Sequence, residues 1–201
     1  MGRIKHSKTE LKAQRDALGR YTRFLPMLQL KKQQLQSEIQ RIDAEIQRVQ
    51  AAESGAWSQL SAWVRLCSEL VGLPSHVELE HVEVAEGNIA GVAIPVLRDV
   101  VMRRSEVDLF ATPPWVDDAA EAVVALTKLR VEREVLETQR GRIAEELRTT
   151  SQRVNLFEKV KIPECRENIR VIKIFLGDEQ TAAVARGKLA KRHAEKTAAA
   201  V

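Results

Sequence analysis

The chain is poor in aromatic residues and in the residues that interrupt helices. Only 4% of its 201 residues are aromatic, nine are glycine and six are proline. Two cysteines, Cys67 and Cys165, are too few for a disulfide framework and lack the partners of a metal site. They read as reduced thiols on the core face of a cytosolic protein. No apolar run approaches the roughly 18 residues needed to span a bilayer. The opening MGRIKHSKTELK has no apolar stretch, so a secretory signal is not expected either. A soluble, cytoplasmic chain without direct membrane insertion is the expectation.

Chemistry is missing as well. No G-x-x-x-x-G-K-[ST] loop occurs, since ARGKLA lacks both the leading glycine and the hydroxyl residue; G-x-G-x-x-G and H-E-x-x-H are also absent. The histidines His6, His76, His81 and His193 are scattered. His76 and His81, flanking Glu78 and Glu80, loosely permit a metal but fit better as polar surface residues of a hairpin. The pairs Asp117/Asp118 and Glu145/Glu146 suit a helix start and a solvated face better than acid–base catalysis. The sequence therefore predicts no catalytic residue, no metal and no cofactor, and not an enzyme.

What is abundant is charge, at 30% of residues, together with Ala, Leu and Gln, the composition of long helices. The net charge of +4 is unevenly spread. Residues 1–32 carry nine Lys or Arg against Glu10 and Asp16. Residues 77–86 carry Glu78, Glu80, Glu83 and Glu86 with no cation. Residues 186–196 are basic again, with Arg186, Lys188, Lys191, Arg192 and Lys196 against Glu195.

Two heptad ladders organise the chain. Alternate steps of three and four from Leu11 reach Gln14, Leu18, Tyr21, Leu25, Leu28, Lys32, Leu35, Ile39, Ile42, Ile46, Val49, Glu53, Ala56, Leu60, Trp63, Cys67 and Leu70. Fifteen of these eighteen stops are apolar, a phase held far too long for an ordinary globular helix. Gln14, Lys32 and Glu53 either fix the register or are simply tolerated on the seam. Pro26 lies within the ladder without shifting its phase, which predicts a kink and not a boundary.

The second ladder follows ATPPWVDDAA, where Thr112 is a plausible N-cap and Pro113 suits a first turn. It runs through Leu126, Leu129, Arg133, Leu136, Arg140, Ile143, Leu147, Thr150, Val154 and Phe157. It resumes, one residue out of phase, at Ile162, Cys165, Ile169, Ile172 and Leu176, with Pro163 beside the slip. Each ladder would be roughly 90 Å long at 1.5 Å per residue.

The predicted fold is mainly α: a long antiparallel two-helix coiled coil with a small β-hairpin insert at the turn end. Its parts are an N-terminal helix over 1–71, an insert and connector over 72–114, and a C-terminal helix over 115–201 that frays at the AEKTAAAV tail. In the insert, VELEHVEV (77–84) and IAGVAIPV (89–96) read as strands, with EGN between them as the turn. A phase shift between Leu79 and Val82 predicts a bulge, Pro95 belongs at an edge or strand end, and 97–110 reads as a short strand or irregular segment. Folding back would bring both basic ends to one tip and leave the acidic hairpin at the other.

RVNLFEKVKIPECRENIRVIKIFL near the C-terminus resembles the R-V-N-x-x-E…I-P…I-R-x-I run of the D subunit of vacuolar-type and archaeal-type rotary ATPases. The matching positions are Arg153, Val154, Asn155, Glu158, Ile162, Pro163, Ile169, Arg170 and Ile172. KTELKAQRDALGRYTRFLPMLQLKKQQLQ is similar to the family's N-terminal helix at Thr9, Leu30, Lys31 and Lys32. FLP at 24–26 departs from the archaeal pattern and suggests a divergent bacterial branch.

The resemblance implies the axle of a central stalk. Its coiled-coil tip would enter a hexamer of catalytic A and B subunits. Its lower part would bind the small F subunit and seat in a funnel-like C or d subunit above a membrane ring that moves H⁺ or Na⁺. It also implies that the basic tip, with Lys5, Lys8, Lys12, Arg15, Lys188, Lys191 and Arg192, meets the hexamer, and that the hairpin has a regulatory or docking role near the F subunit. The complex would be peripheral to the membrane, with the axle on its cytoplasmic side. A free-standing coiled-coil scaffold would instead form homo-oligomers. A nucleic-acid-binding coiled coil would show steeply salt-dependent affinity, but Tyr21 lies on the seam and leaves no stacking platform, so no nucleic-acid partner is expected.

Overall fold

The computed structural model describes residues 5–61, 77–105, 113 and 115–198. Trp63, Cys67, Leu70, His76 and Thr112 lie outside them, as do Ala199 to Val201. In chain order the elements are α1 (Lys8–Ser61), β1 (Val77–Ile89), β2 (Val92–Arg104), α2 (Trp115–Leu156), a π-helical turn (Phe157–Lys161) and α3 (Ile162–Ala198). The expected mainly helical fold with a hairpin between its long helices is what forms. The tail read as frayed is helical as far as Ala198.

Helix α1 opens on a side-chain cap. The Ser7 hydroxyl accepts the Glu10 backbone N–H at 3.2 Å, satisfying one of the orphan donors of the first turn. The helix then runs unbroken through Pro26. At the head of α2 the Pro113 carbonyl accepts the N–H of Val116, and Asp117 and Asp118 occupy the first turn, where the dipole favours anions.

The chain divides into two compact units, residues 31–149 and residues 1–30 with 150–201. In the first, Leu35, Ile42, Ile46 and Val49 of α1 form one core with Leu136 and Ile143 of α2 and Ile94 of β2. Charged pairs run antiparallel beside this core. Lys31 Nζ meets Glu146 Oε1 at 2.6 Å, Arg140 reaches Asp43, Arg48 lies 3.6 Å from Glu132, and Glu53 meets Arg133. From Lys31–Glu146 through Asp43–Arg140 to Arg48–Glu132 the α2 number falls as the α1 number rises, the register of two helices folded back on each other. Two of the polar ladder positions thus meet: Arg133 Nε lies 3.2 Å from Glu53 Oε2, both side chains largely shielded. The Nε atom is buried without an aligned hydrogen bond, so the contact is a charge pair and not a fork. Arg140, expected on the seam, is exposed; Gln139 is buried in its place because it turns towards the hairpin.

The hairpin is longer than the sequence suggests and its turn lies elsewhere. EGN falls inside β1, and the chain reverses at Ala90–Gly91, both at positive φ (52° and 81°), with Ile89 opposite Val92. This is the primed two-residue turn whose twist suits a hairpin. Residues 97–104, read as short or irregular, complete β2. The expected bulge appears between Leu79 and His81, with a second irregularity between Glu83 and Val84. Gly87 is needed for close approach, since a Cβ there would lie 2.6 Å from Val96 Cγ2. Pro95 sits within β2, not at its end, but a two-stranded sheet has only edge strands. The tip packs on the helices through Ile89, Ala90, Val92 and Val96, and α2 clasps β2 by two bonds: Gln139 Nε2 donates to Pro95 O at 2.6 Å, and Arg142 Nη1 donates to Ala93 O at 3.2 Å.

In the second unit, Val154, Ile162, Cys165 and Ile172 are buried, and the pairing with α1 is again antiparallel. The rings of Tyr21 and Phe157 lie 4.9 Å apart, Asn168 donates to Gln14 at 3.4 Å, and His6 stacks on Phe175 at 4.8 Å. The one-residue slip is absorbed by the π-helical turn, where the Ile162 N–H donates to Phe157 O, five residues back. An unbroken α-helix would swing Ile162 off the seam; the wider turn returns it. The same widening spares the ring of Pro163 a clash with the carbonyl four residues before it.

Ile42→Ala or Ile143→Ala should lower stability by about 2–5 kcal/mol in urea denaturation, against less than about 0.5 kcal/mol for exposed Leu30→Ala. Arg133→Leu should cost about 1–3 kcal/mol by stranding Glu53, and Glu53→Leu added to it should recover most of that loss. A double-mutant cycle checks the coupling.

Candidate docking surfaces

Among the described residues no three His, Cys, Asp or Glu side chains gather as a metal site. Cys165 is buried on the seam, and desolvation pushes its thiol above the usual range, so it stays protonated and unreactive at neutral pH. What the fold turns outwards is charge.

Lys8, Lys12 and Arg15 follow the i, i+4, i+7 spacing of one helical face. All three, and Lys5 before them, are exposed, while Leu11 and Gln14 turn to the seam. On α3, Lys188, Lys191 and Arg192 are exposed, with Lys191 3.9 Å from Glu195. The two clusters lie at the same end of their unit but are staggered. The start of α1 meets α3 at Phe175, and Lys188 lies thirteen residues on, roughly 20 Å further along the helix axis. Every residue from Gly177 to Glu195 is exposed, Val184 and Leu189 included. Among the described residues nothing covers this stretch of α3.

The stretch that carries the family resemblance has two faces. Val154, Ile162 and Ile172 are buried and Ile169 half-buried, whereas Arg153, Asn155, Glu158, Pro163 and Arg170 are exposed. One outward pair escaped the sequence reading, although its i, i+3 spacing was visible. The Arg170 guanidinium grips Glu167 by contacts of 2.7–3.2 Å. The hydrogen bond from Arg170 holds the Glu167 carboxyl below its usual range. Any stability it lends is therefore present above the ordinary carboxylate pKa and fades as pH falls through the depressed value. Both groups are exposed, so the effect is mainly to orient the guanidinium.

The seam residues expected from the sequence are turned inwards: Leu35, Ile42, Ile46, Val49, Leu136, Ile143 and Val154 are buried, and Leu18, Leu28, Ile39, Leu147 and Phe157 half-buried. On β1, Glu78, Glu80, Glu83 and Glu86 are all exposed, with His81 Nε2 3.4 Å from Glu83 Oε1. No helix among the described residues is long and apolar enough to cross a membrane.

Residues 10–192 match the family model for the ATP synthase D subunit. The chain is 43% identical over 191 residues to a V-type ATP synthase D subunit of Borreliella burgdorferi, covering 95% of each chain. It is 33% identical over 197 residues to the protein of the same name from Chlamydia pneumoniae, covering 96% of this chain and 93% of that one. The counterpart in Chlamydia caviae is 32% identical over 196 residues, with 94% and 92% covered. Match and architecture agree, and the chain belongs to the ATP synthase D-subunit family.

Proposed function

We propose that this chain is the axle of a rotary ATPase central stalk, a non-catalytic component that carries torque between a hexamer of A and B subunits and a membrane ring moving H⁺ or Na⁺. The observation that carries the reading is the pairing of its helices. A torque-bearing pair must not slip, and here apolar stops in one phase are reinforced by the shielded Glu53–Arg133 pair. Relatives across 95% of the chain are named as the D subunit of V-type ATP synthase. With its polar and charged groups used for register and surface, the chain fits a part that transmits work done elsewhere.

The basic residues Lys5, Lys8, Lys12, Arg15, Lys188, Lys191 and Arg192 then face acidic or carbonyl-lined surfaces of the hexamer. Their stagger suits contacts at two depths, α3 reaching further than the start of α1. The opposite part of the chain seats on the funnel-like C or d subunit, and the F subunit binds beside it. The hairpin, held on α2 by Gln139 and Arg142, serves as a docking element near the F subunit. The axle works on the cytoplasmic side, peripheral to the membrane.

Native mass spectrometry of this chain with the A, B and F subunits of its host should show one copy bound per hexamer together with one F. Homodimers of the chain alone, with no such complex, would overturn the axle reading in favour of a scaffold. Reversing Lys188, Lys191 and Arg192 to Glu together with Lys8 and Lys12 should reduce coupling of ATP hydrolysis to ion transport in the reconstituted complex; full coupling would remove those contacts. Deleting residues 77–96 should weaken retention of the F subunit or change turnover.

A further inference from the structure

The two long edges of the hairpin are not equivalent. With Ile89 and Val92 flanking a two-residue turn, alternate cross-strand pairs down the ladder exchange hydrogen bonds and the others do not. The pairs Asn88–Ala93, Glu86–Pro95 and Val84–Leu97 fall in the second class, so their backbone N–H and C=O groups point away from the partner strand. The structure corroborates this on β2: the outward carbonyls of Ala93 and Pro95 are the two that Arg142 and Gln139 cap. It also explains how Pro95 is tolerated, since a non-bonded position needs no donor across the ladder.

Among the described residues the matching edge of β1 has no such cover. The sheet has two strands only, and among the described residues no backbone group outside β2 bonds to β1. Val84, Glu86 and Asn88 are exposed. An open edge is a template for another strand. Its charge selects which one. Glu83 and Glu86 lie in or beside the strip with no lysine or arginine opposite them, whereas Glu78, further from it, faces Arg103 in register. Glu83 moreover lies opposite Asp99 in register, and neither pairs with a lysine or arginine among the described residues. Like charges placed so are destabilising until a cation joins them. A second copy of β1 would add more acid to this strip.

We infer that the outer edge of β1 around Val84–Asn88 is a docking strip for an extended, lysine- or arginine-rich segment of a partner protein, added as a third strand. Backbone hydrogen bonds to residues 84, 86 and 88 supply the pairing, and the glutamates, with Asp99, select the basic sequence. This deepens the proposal that the hairpin docks a partner and rests on it.

The test is a titration of the full ¹⁵N-labelled chain with a Lys-Val-Lys-Val-Lys-Val peptide. Amide shifts should be confined to the strip, with Val84, Glu86 and Asn88 gaining protection from hydrogen exchange. Glu86→Pro removes an outward donor without touching the ladder, as Pro95 does opposite, and should weaken binding about tenfold. Glu86→Gln, which keeps the donor, should weaken it less. A peptide N-methylated at alternate residues, tested on the unaltered chain, should not bind. Equal binding of the N-methylated peptide, wild-type affinity in Glu86→Pro, or self-association through β1 in place of peptide binding would each overturn the strip. In the reconstituted complex, loss of the F subunit on deleting 77–96 but not in Glu86→Pro would discard strand pairing and keep hairpin docking. No loss in either would discard both.

Discussion

Everything in this chain depends on keeping one apolar stripe buried along two helices that run in opposite directions. Two lone helices of this composition would be marginal in water, because the stabilisation lies in covering the seam and not in helix propensity. Ile42 and Ile143, both fully buried, sit at the centre of that cover in their unit, and Val154, Ile162 and Ile172 do the same work in the other. Once the seam must stay closed, other features become consequences. The chain carries an extra residue between Phe157 and Ile162, and a five-residue π-helical turn takes it up. Polar residues admitted to the stripe must find each other, as Glu53 and Arg133 do.

The hairpin shows the same priority of burial over local preference. Ala90 holds a positive φ, which costs a non-glycine residue roughly 1–2 kcal/mol. The flanking Ile89 and Val92, with Ile94 inside the core, are placed against the helices only by turning there. Asn88 helps by accepting the Gly91 N–H at 2.9 Å. Gly87 then has to be glycine because Val96 lies over it. Clasping β2 to α2 by its outward carbonyls closes one edge of the sheet, and among the described residues no backbone group outside β2 bonds to the other.

Function in such a protein separates cleanly from stability. The seam is mostly apolar and inward, and most of the lysines, arginines and glutamates of the described residues are turned outwards. Membership of the ATP synthase D-subunit family fits that division. The outward half of its family stretch, Arg153, Asn155, Glu158 and Arg170, is exposed and adds nothing to the core.

The long helices, their antiparallel return, the phase slip and the first bulge were all legible, because period and phase are local properties that side-chain burial enforces. The Ser7–Glu10 cap was legible too, as serine followed three residues later by glutamate, yet it is quiet beside the ladder. The hairpin turn was not: alanine in the first turn position hides it, and EGN offers a louder signal that begins four residues too early. Nor could the choice between Gln139 and Arg140 be read, since both are polar and only the neighbouring strand distinguishes them. The amino-acid sequence by itself determined which apolar residues form the seam, because a heptad stripe has a single face to bury. Only the tertiary structure decided which polar seam residues pair, where β1 turns into β2, and which sheet edge α2 clasps, because each depends on contacts between segments distant in the chain.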